Sequence, residues 1–182
     1  DDGSFQVKTV QMYFHADGRA GSLEKAIDRI CRYAYDAVLD GFQVLVLSDR
    51  AIDSKHAAIP SLLSVSAIHH HLIRKGVRGQ VGLVVEAGDV WETHHFACLL
   101  GFGASAINPY LAFSTIQTMD FESSTFDATH RKNLSSIPYL QKNYLRSVND
   151  GLLKIFSKMG ISTLQSYQGA QIFEIVGLGK RV

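Results

Sequence analysis

The chain has 182 residues and a mass of 20.1 kDa, enough for one sizeable core and too little for two comfortable domains. Apolar residues make up 46% and charged residues 19%, with 3 Pro and 15 Gly, which excludes a disordered, collagen-like or low-complexity chain. Lys plus Arg number 18 against 17 for Asp plus Glu, so bulk charge lends no support to nucleic-acid or acidic-membrane binding.

Val7 to Phe14 alternates imperfectly and predicts a first strand. Ser22 is placed as an N-cap with Glu24 in the first turn, followed by Leu23, Ala26, Ile27, Ile30, Cys31, Ala34 and Val38 at helical spacing until Gly41. Phe42 to Leu47 is an apolar run broken only by Gln43, the pattern of a parallel strand covered on both faces. Pro60 suits the first turn of a helix running to about Lys75. Val81 to Val85 is the next buried strand, followed by a helix over Glu92 to Leu100. Ala106 to Ala112 is read as a strand that Pro109 weakens. Residues 114–142 read as a long polar loop and Tyr144 to Lys158 as an amphipathic helix. A short strand at Ile161 to Leu164 and a last helix at Ala170 to Val176 complete the order. Strands alternating with helices imply right-handed parallel crossovers. The predicted class is therefore α/β, a mostly parallel sheet with alternating helices, open or partial (β/α)-barrel-like, in a single domain over residues 1–182.

Two cysteines, Cys31 and Cys98, predict reduced thiols in the cytoplasm and are too few for an iron–sulfur cluster. No apolar run reaches the roughly 18 residues of a membrane span, and Asp1-Asp2 is unlike a signal peptide. Ligands in such folds sit beyond the carboxyl ends of the strands. Four segments qualify: Ser48-Asp49-Arg50, Glu86-Ala87-Gly88-Asp89, Asn108-Pro109-Tyr110, and Ser162-Thr163 with Gln165-Ser166-Tyr167. Asp49 and Glu86 could act as a carboxylate pair; the plainer reading has Asp49 pairing with Arg50 or capping a loop, and Glu86 accepting backbone amides.

Among His69, His70 and His71, helical neighbours point about 100° apart and cannot chelate one metal together. A metal site would need one of them with His94 or His95 and with Glu86 or Glu92, but the i, i+4 pair of helical zinc sites is absent. The expected role of the histidines is structural, with one of each group buried and hydrogen-bonded. No GxGxxG, P-loop or GxSxG string occurs, and Gly101-Phe102-Gly103 follows a helix rather than a strand. Cys98, beside Leu99 and Leu100 in an apolar helix, is expected to be a buried, inert thiol. Trp91, Phe102, Tyr110 and Phe113 are expected in core or interface. No catalytic, cofactor-binding or metal-ligating residue is assigned.

Longer strings carry more. Leu47-Ser48-Asp49-Arg50, Ile59-Pro60-Ser61-Leu62-Leu63, and Ala67-Ile68-His69-His70-His71-Leu72-Ile73-Arg74 come first. Val81-Gly82-Leu83-Val84-Val85-Glu86, His94-His95-Phe96-Ala97 and Ala106-Ile107-Asn108-Pro109-Tyr110-Leu111-Ala112 follow. Then come Gly151-Leu152-Leu153-Lys154, Ser157 through Tyr167, and Gly169-Ala170-Gln171-Ile172-Phe173-Glu174. In this order they resemble the C-terminal part of the central domain of the glutamate synthase large chain, over roughly residues 22 to 178.

The resemblance implies an oxidoreductase that takes ammonia from glutamine in an amidotransferase domain and passes it through a tunnel. In an FMN domain it joins 2-oxoglutarate, with electrons arriving through an iron–sulfur cluster from NAD(P)H or ferredoxin. Of this route the central domain links the two active sites and helps wall the tunnel. It is related in topology to the flavin domain without binding flavin. Residue 1 is Asp rather than the amidotransferase's N-terminal Cys, the cluster ligands are absent, and so is a family segment near the 2-oxoglutarate site. The chain is thus expected to be an excised fragment or separate subunit, inactive alone, with the amidotransferase and FMN domains as partners. Ser48, Asn108, Ser162 and Thr163 are the residue types suited to a tunnel for neutral ammonia. The competing readings are an independent metal- or carboxylate-dependent enzyme with a strand-end site, and a free-standing binding module. An apolar patch at Ile172, Phe173 and Val176 is expected to drive self-association.

Overall fold

A computed structural model describes residues 5–118, 137–174 and 176–177. Four parallel strands form the central sheet in the order β1 (Val7–Gln11), β3 (Val44–Ser48), β5 (Gly82–Glu86), β6 (Ala106–Asn108). This is the sequential strand order of successive βαβ units, whose crossovers are as a rule right-handed. The expected first strand is in fact two. Met12 interrupts it, fully buried, with its amide donating to the Ser48 carbonyl at 2.8 Å. Beyond it β2 (Tyr13–His15) turns off to pair antiparallel with β4 (His56–Ala58), a small ribbon past the carboxyl ends of β1 and β3.

Helix α1 (Ser22–Leu39) buries Ala26, Ile30, Cys31, Ala34, Ala37 and Val38, a stripe at i, i+4, i+5, i+8 spacing. Its N-cap is Gly21 at φ 83°, not Ser22; the Ser22 hydroxyl instead donates to Asp17 Oδ1 at 2.8 Å. Helix α2 (Ser61–Arg74) has Pro60 as its N-cap and packs on α1. Helix α3 (Thr93–Gly101) follows β5. Pro109 ends β6 rather than interrupting it, and residues 110–112, read as strand, open helix α4 (Tyr110–Thr118). Helix α5 (Ile137–Met159) starts earlier than predicted, so 114–118 and 137–142 are helical rather than loop; the rest of the predicted loop lies outside the described residues. Gly151 lets α5 close on α3, since a Cβ there would stand 2.6 Å from Thr93 Cγ2.

The last unit departs most from expectation. Ile161 to Thr163 form no strand; a four-residue helix α6 (Leu164–Tyr167) follows, and the described part of 170–176 is irregular rather than helical. The segment is held as a docked strap. Tyr167 is fully buried and donates to the Ala97 carbonyl at 3.0 Å, Gly169 and Gln171 amides donate to Leu100 and Gly101 carbonyls, and Phe156 lies 4.4 Å from the Tyr167 ring. Ile172 and Phe173 are half-buried, Phe173 edge-on to His94, while Val176 is 91% exposed.

The core lies on one side of the sheet. Val10, Leu45, Leu47, Leu83 and Val85 share a face and are at most 1% exposed against α1 and α2, each worth about 1.5–3 kcal/mol when fully buried. The pleat sends Thr9, Val44, Val46, Val84 and Ala106 to the other face, where all are half-buried or exposed. The apolar runs read as covered on both faces are thus fully covered on one.

Candidate functional site

The strand register brings Ser48, Glu86 and Asn108 into one row across β3, β5 and β6, at the carboxyl end of the less covered face. Glu86 is the hub. Ser48 Oγ donates to its Oε2 at 2.7 Å, Asn108 Nδ2 to its Oε1 at 3.2 Å, and Arg50 Nε to its Oε1 at 2.8 Å. Burial pushes the Glu86 carboxyl up, but the bonds from Ser48 and Arg50, then the Arg50 charge and Asn108, outweigh it and hold the pKa below the usual range. A carboxylate fixed by three donors and kept ionised is a poor proton shuttle at neutral pH. Arg50 also lies flat over the Tyr110 ring, 3.9 Å from its centroid, a stacked cation–π contact.

Asp49 sits just behind, 5% exposed. It does not pair with Arg50; its Oδ2 accepts the Gly88 amide at 2.8 Å, and its Oδ1 is buried without a hydrogen bond. Tyr110 stands beside it, and burial followed by the Asp49 carboxylate raises the phenol to about 12. Asp49 and Glu86 therefore have separate partners and form no acid/base dyad. Ser162 and Thr163, expected with Ser48 and Asn108, lie elsewhere: Thr163 Oγ1 caps α6 by accepting the Ser166 amide at 3.4 Å.

The N-termini of α2 and α3 do not fit a flavin phosphate. At α2 the Ser61 amide is taken by Asp89 Oδ2 at 3.0 Å, and at α3 a capping box of Glu92 and His95 closes the first turn. Helix N-termini bind anions through free amides and a positive end, and carboxylates already occupy both. Cys31 and Cys98 do not fit an all-cysteine iron–sulfur cluster: they are two where it takes four thiolates, and burial raises both thiols, Cys31 to about 11. Cys98, expected to be buried, is half-buried. Among the described residues no three His, Cys, Asp or Glu side chains converge as metal ligands. A surface groove runs along α5 beside Thr93 and shares no residue with the strand-end row.

The histidines divide differently from expectation. His69 is 8% exposed and its Nδ1 accepts from Arg78 Nε at 2.9 Å, which fixes the proton on Nε2; burial, then the Arg78 charge, pushes it down to about 4. Arg78 also donates to the Val81 and Gly103 carbonyls, stapling the amino-terminal end of β5 to the turn after α3. His70 Nε2 meets Gln171 Nε2 at 2.9 Å, and His71 Nε2 is buried without a partner. In the second group neither ring is buried: His94 is exposed, 3.4 Å from Cys98 Sγ, and the half-buried His95 accepts the Trp91 amide at 3.0 Å. Trp91 is 41% exposed and gives its carbonyl to the Tyr144 hydroxyl. Sequence reasoning missed Arg78 and Gln168, and it placed Asp89 at a strand end without its bond to the Ser61 amide. Only the glycine beside Asp89 hints at a turn that could aim a side chain back at a helix end.

The family model described as glutamate synthase central domain matches residues 1–179, so the match includes the first 21 residues that the string resemblance did not reach. A ferredoxin-dependent glutamate synthase of Pyropia yezoensis is 47% identical over 177 residues, 95% of this chain and 12% of the relative. The glutamate synthase [NADPH] large chain of Bacillus subtilis (strain 168) is 44% identical over 160 residues, 88% of this chain and 10% of the relative. The chain thus spans about an eighth or less of the length of these curated relatives. In fold, it is similar to a flavocytochrome b2 mutant with pyruvate bound, at a TM-score of 0.56 and 12% identity, over 82% of this chain and 35% of that one. No helix among the described residues is long and apolar enough to cross a membrane.

Proposed function

This chain belongs to the glutamate synthase central domain family, and from that premise we propose that residues 1–182 form one α/β unit from the C-terminal part of that domain. It joins a glutamine amidotransferase domain to an FMN domain and walls part of the ammonia path between them. The parent enzyme converts glutamine and 2-oxoglutarate to two glutamates, with electrons from ferredoxin or a reduced nicotinamide cofactor. FMN and the iron–sulfur cluster belong to other parts of that polypeptide. Two unpaired thiols suit the reducing cytoplasm or an equivalent compartment.

The observation that carries this reading is the closed strand-end row. Where (β/α) enzymes expose reactive groups, this chain holds its carboxylate Glu86 on Ser48, Arg50 and Asn108. Chemistry committed to internal bonds serves a wall better than a catalyst. The reading that this is an independent carboxylate enzyme loses its proton donor by the same geometry.

The test uses the full-length enzyme with Glu86→Leu, which strips the row of its acceptor and leaves Arg50 unpaired. Glutamate formation from 2-oxoglutarate and added ammonium is expected to persist. From glutamine, more ammonia should escape to solvent than is captured as glutamate. One-to-one coupling in the variant, at unchanged rates, would sink the channelling role.

A further inference from the structure

Helix α3 carries a pair of metal-ligating side chains that its capping does not use. The cap engages Glu92 and His95: His95 Nδ1 accepts the Trp91 amide at 3.0 Å, and its Nε2 lies 3.5 Å from Glu92 Oε1. His94 has no part in that arrangement. Its Nε2 lies 3.4 Å from the Sγ of Cys98, one turn further along, and its ring meets Phe173 edge-on at 4.9 Å. Residues four apart on a helix share a face, so the helix itself sets the separation of the two donor atoms. His94 is exposed and Cys98 half-buried, which leaves the pair open to an ion arriving from solvent. No two histidines of the chain stand four residues apart, and here a cysteine supplies the second donor that this spacing needs.

We propose that His94 and Cys98 chelate a zinc ion whose remaining positions are filled by water. Zinc takes imidazole nitrogen and thiolate sulfur in a tetrahedral arrangement. With bonds of about 2.0 Å to nitrogen and about 2.3 Å to sulfur, atoms 3.4 Å apart subtend an angle of about 103° at the ion, close to tetrahedral. Neither side chain has to leave its place. Binding is an exchange: the thiol proton leaves to water and a sulfur lone pair makes the bond to zinc. The imidazole stays neutral, giving Nε2 to the metal and keeping its proton on Nδ1. A thiolate beside an imidazole selects zinc over magnesium, which prefers oxygen ligands. Two protein ligands leave the ion exchangeable, unlike the closed four-ligand sites that hold a fold together. The site stands on side chains of this chain alone and is independent of the family reading.

The experiment alkylates the native full-length enzyme with iodoacetamide after chelator treatment and follows the Cys98 peptide by mass spectrometry. Zinc added across the micromolar range should slow alkylation of Cys98, by about tenfold at ten times the dissociation constant, through mass action. Renewed chelation should restore the rate, and magnesium at the same concentrations should leave it unchanged. His94→Gln alters an exposed side chain outside the cap, and should lose the protection at every zinc concentration. In equilibrium dialysis Cys98→Ser should retain one zinc fewer per polypeptide than the unmodified enzyme. The comparison of zinc with magnesium needs no substitution and decides the matter whether or not a variant folds. Alkylation indifferent to zinc, equal protection by magnesium, protection that survives His94→Gln, or equal zinc uptake by Cys98→Ser would each overturn the proposal. So would a Cys98 that the reagent cannot reach in the metal-free enzyme, since an ion would be shut out with it.

Discussion

Gly103 is the position where adding one carbon should do most harm. Its φ of +110° is open to glycine and strained for any L side chain, at about 1–3 kcal/mol. The added Cβ would stand 2.2 Å from His69 Nδ1 and 2.8 Å from its Cγ, so the buried ring must move. Moving it breaks the bond from Arg78 Nε, a charged donor whose loss costs about 1.5–3 kcal/mol. Gly103→Ala should therefore lower stability by about 3–5 kcal/mol, against the 5–15 kcal/mol that holds a typical domain together. Urea unfolding followed by circular dichroism would show this as a midpoint about 2 M lower, at a slope near 2 kcal/mol/M. The same substitution in a His69→Ala background should cost only about 1–3 kcal/mol, since the clash is gone and the strained φ remains. Equal costs in the two backgrounds, or a loss below about 1 kcal/mol in the first, would refute the steric argument.

Protonation offers an independent probe of the same ring. His69 is held near 4 in the folded chain against about 6.5 when unfolded, so between those values the unfolded state binds more protons. Stability should be complete above pH 6.5 and decline as pH falls towards 4, by no more than about 3 kcal/mol; His69→Gln should flatten that decline in a urea–pH series. Tyr167→Ala should cost about 3–5 kcal/mol and open residues 163–174 to limited proteolysis, because the fully buried ring anchors the strap. Tyr167→Phe, losing only the bond to the Ala97 carbonyl, should cost about 1 kcal/mol and leave the strap protected.

Periodicity located α1, and Pro60 with Gly76 located α2, to within a residue or two of their ends, because both helices stop at left-handed glycines, Gly41 and Gly76. It failed where tertiary contacts decide. Ile161 to Leu164 has strand-like composition, yet the segment gains more from docking Tyr167 and Gln168 onto the α3 turn than from extending the sheet. Pro109 was legible as a disruption, but whether it weakens a strand or starts a helix depends on Asn108 ending β6. Val44 and Leu45 are equally apolar in sequence, and only the placement of the helices tells the covered face from the other. At the strand ends each residue type was visible singly. The row of Ser48, Glu86 and Asn108 required the register, and Arg50 chose Glu86 rather than the adjacent Asp49 because Asp49 turns inward to the Gly88 amide.

Strand β5 is tethered at both of its ends by side chains from neighbouring units. Asp49 holds the Gly88 amide and Asn108 reaches Glu86 at one end, while Arg78 grips the Val81 and Gly103 carbonyls at the other. Adjoining units cannot slide along the strand axis without breaking charged bonds at both edges. A load applied at one edge therefore emerges at the other with little lost to shear. Such a unit behaves as a rigid strut rather than a hinge, and compliance has to reside outside the tethered strands.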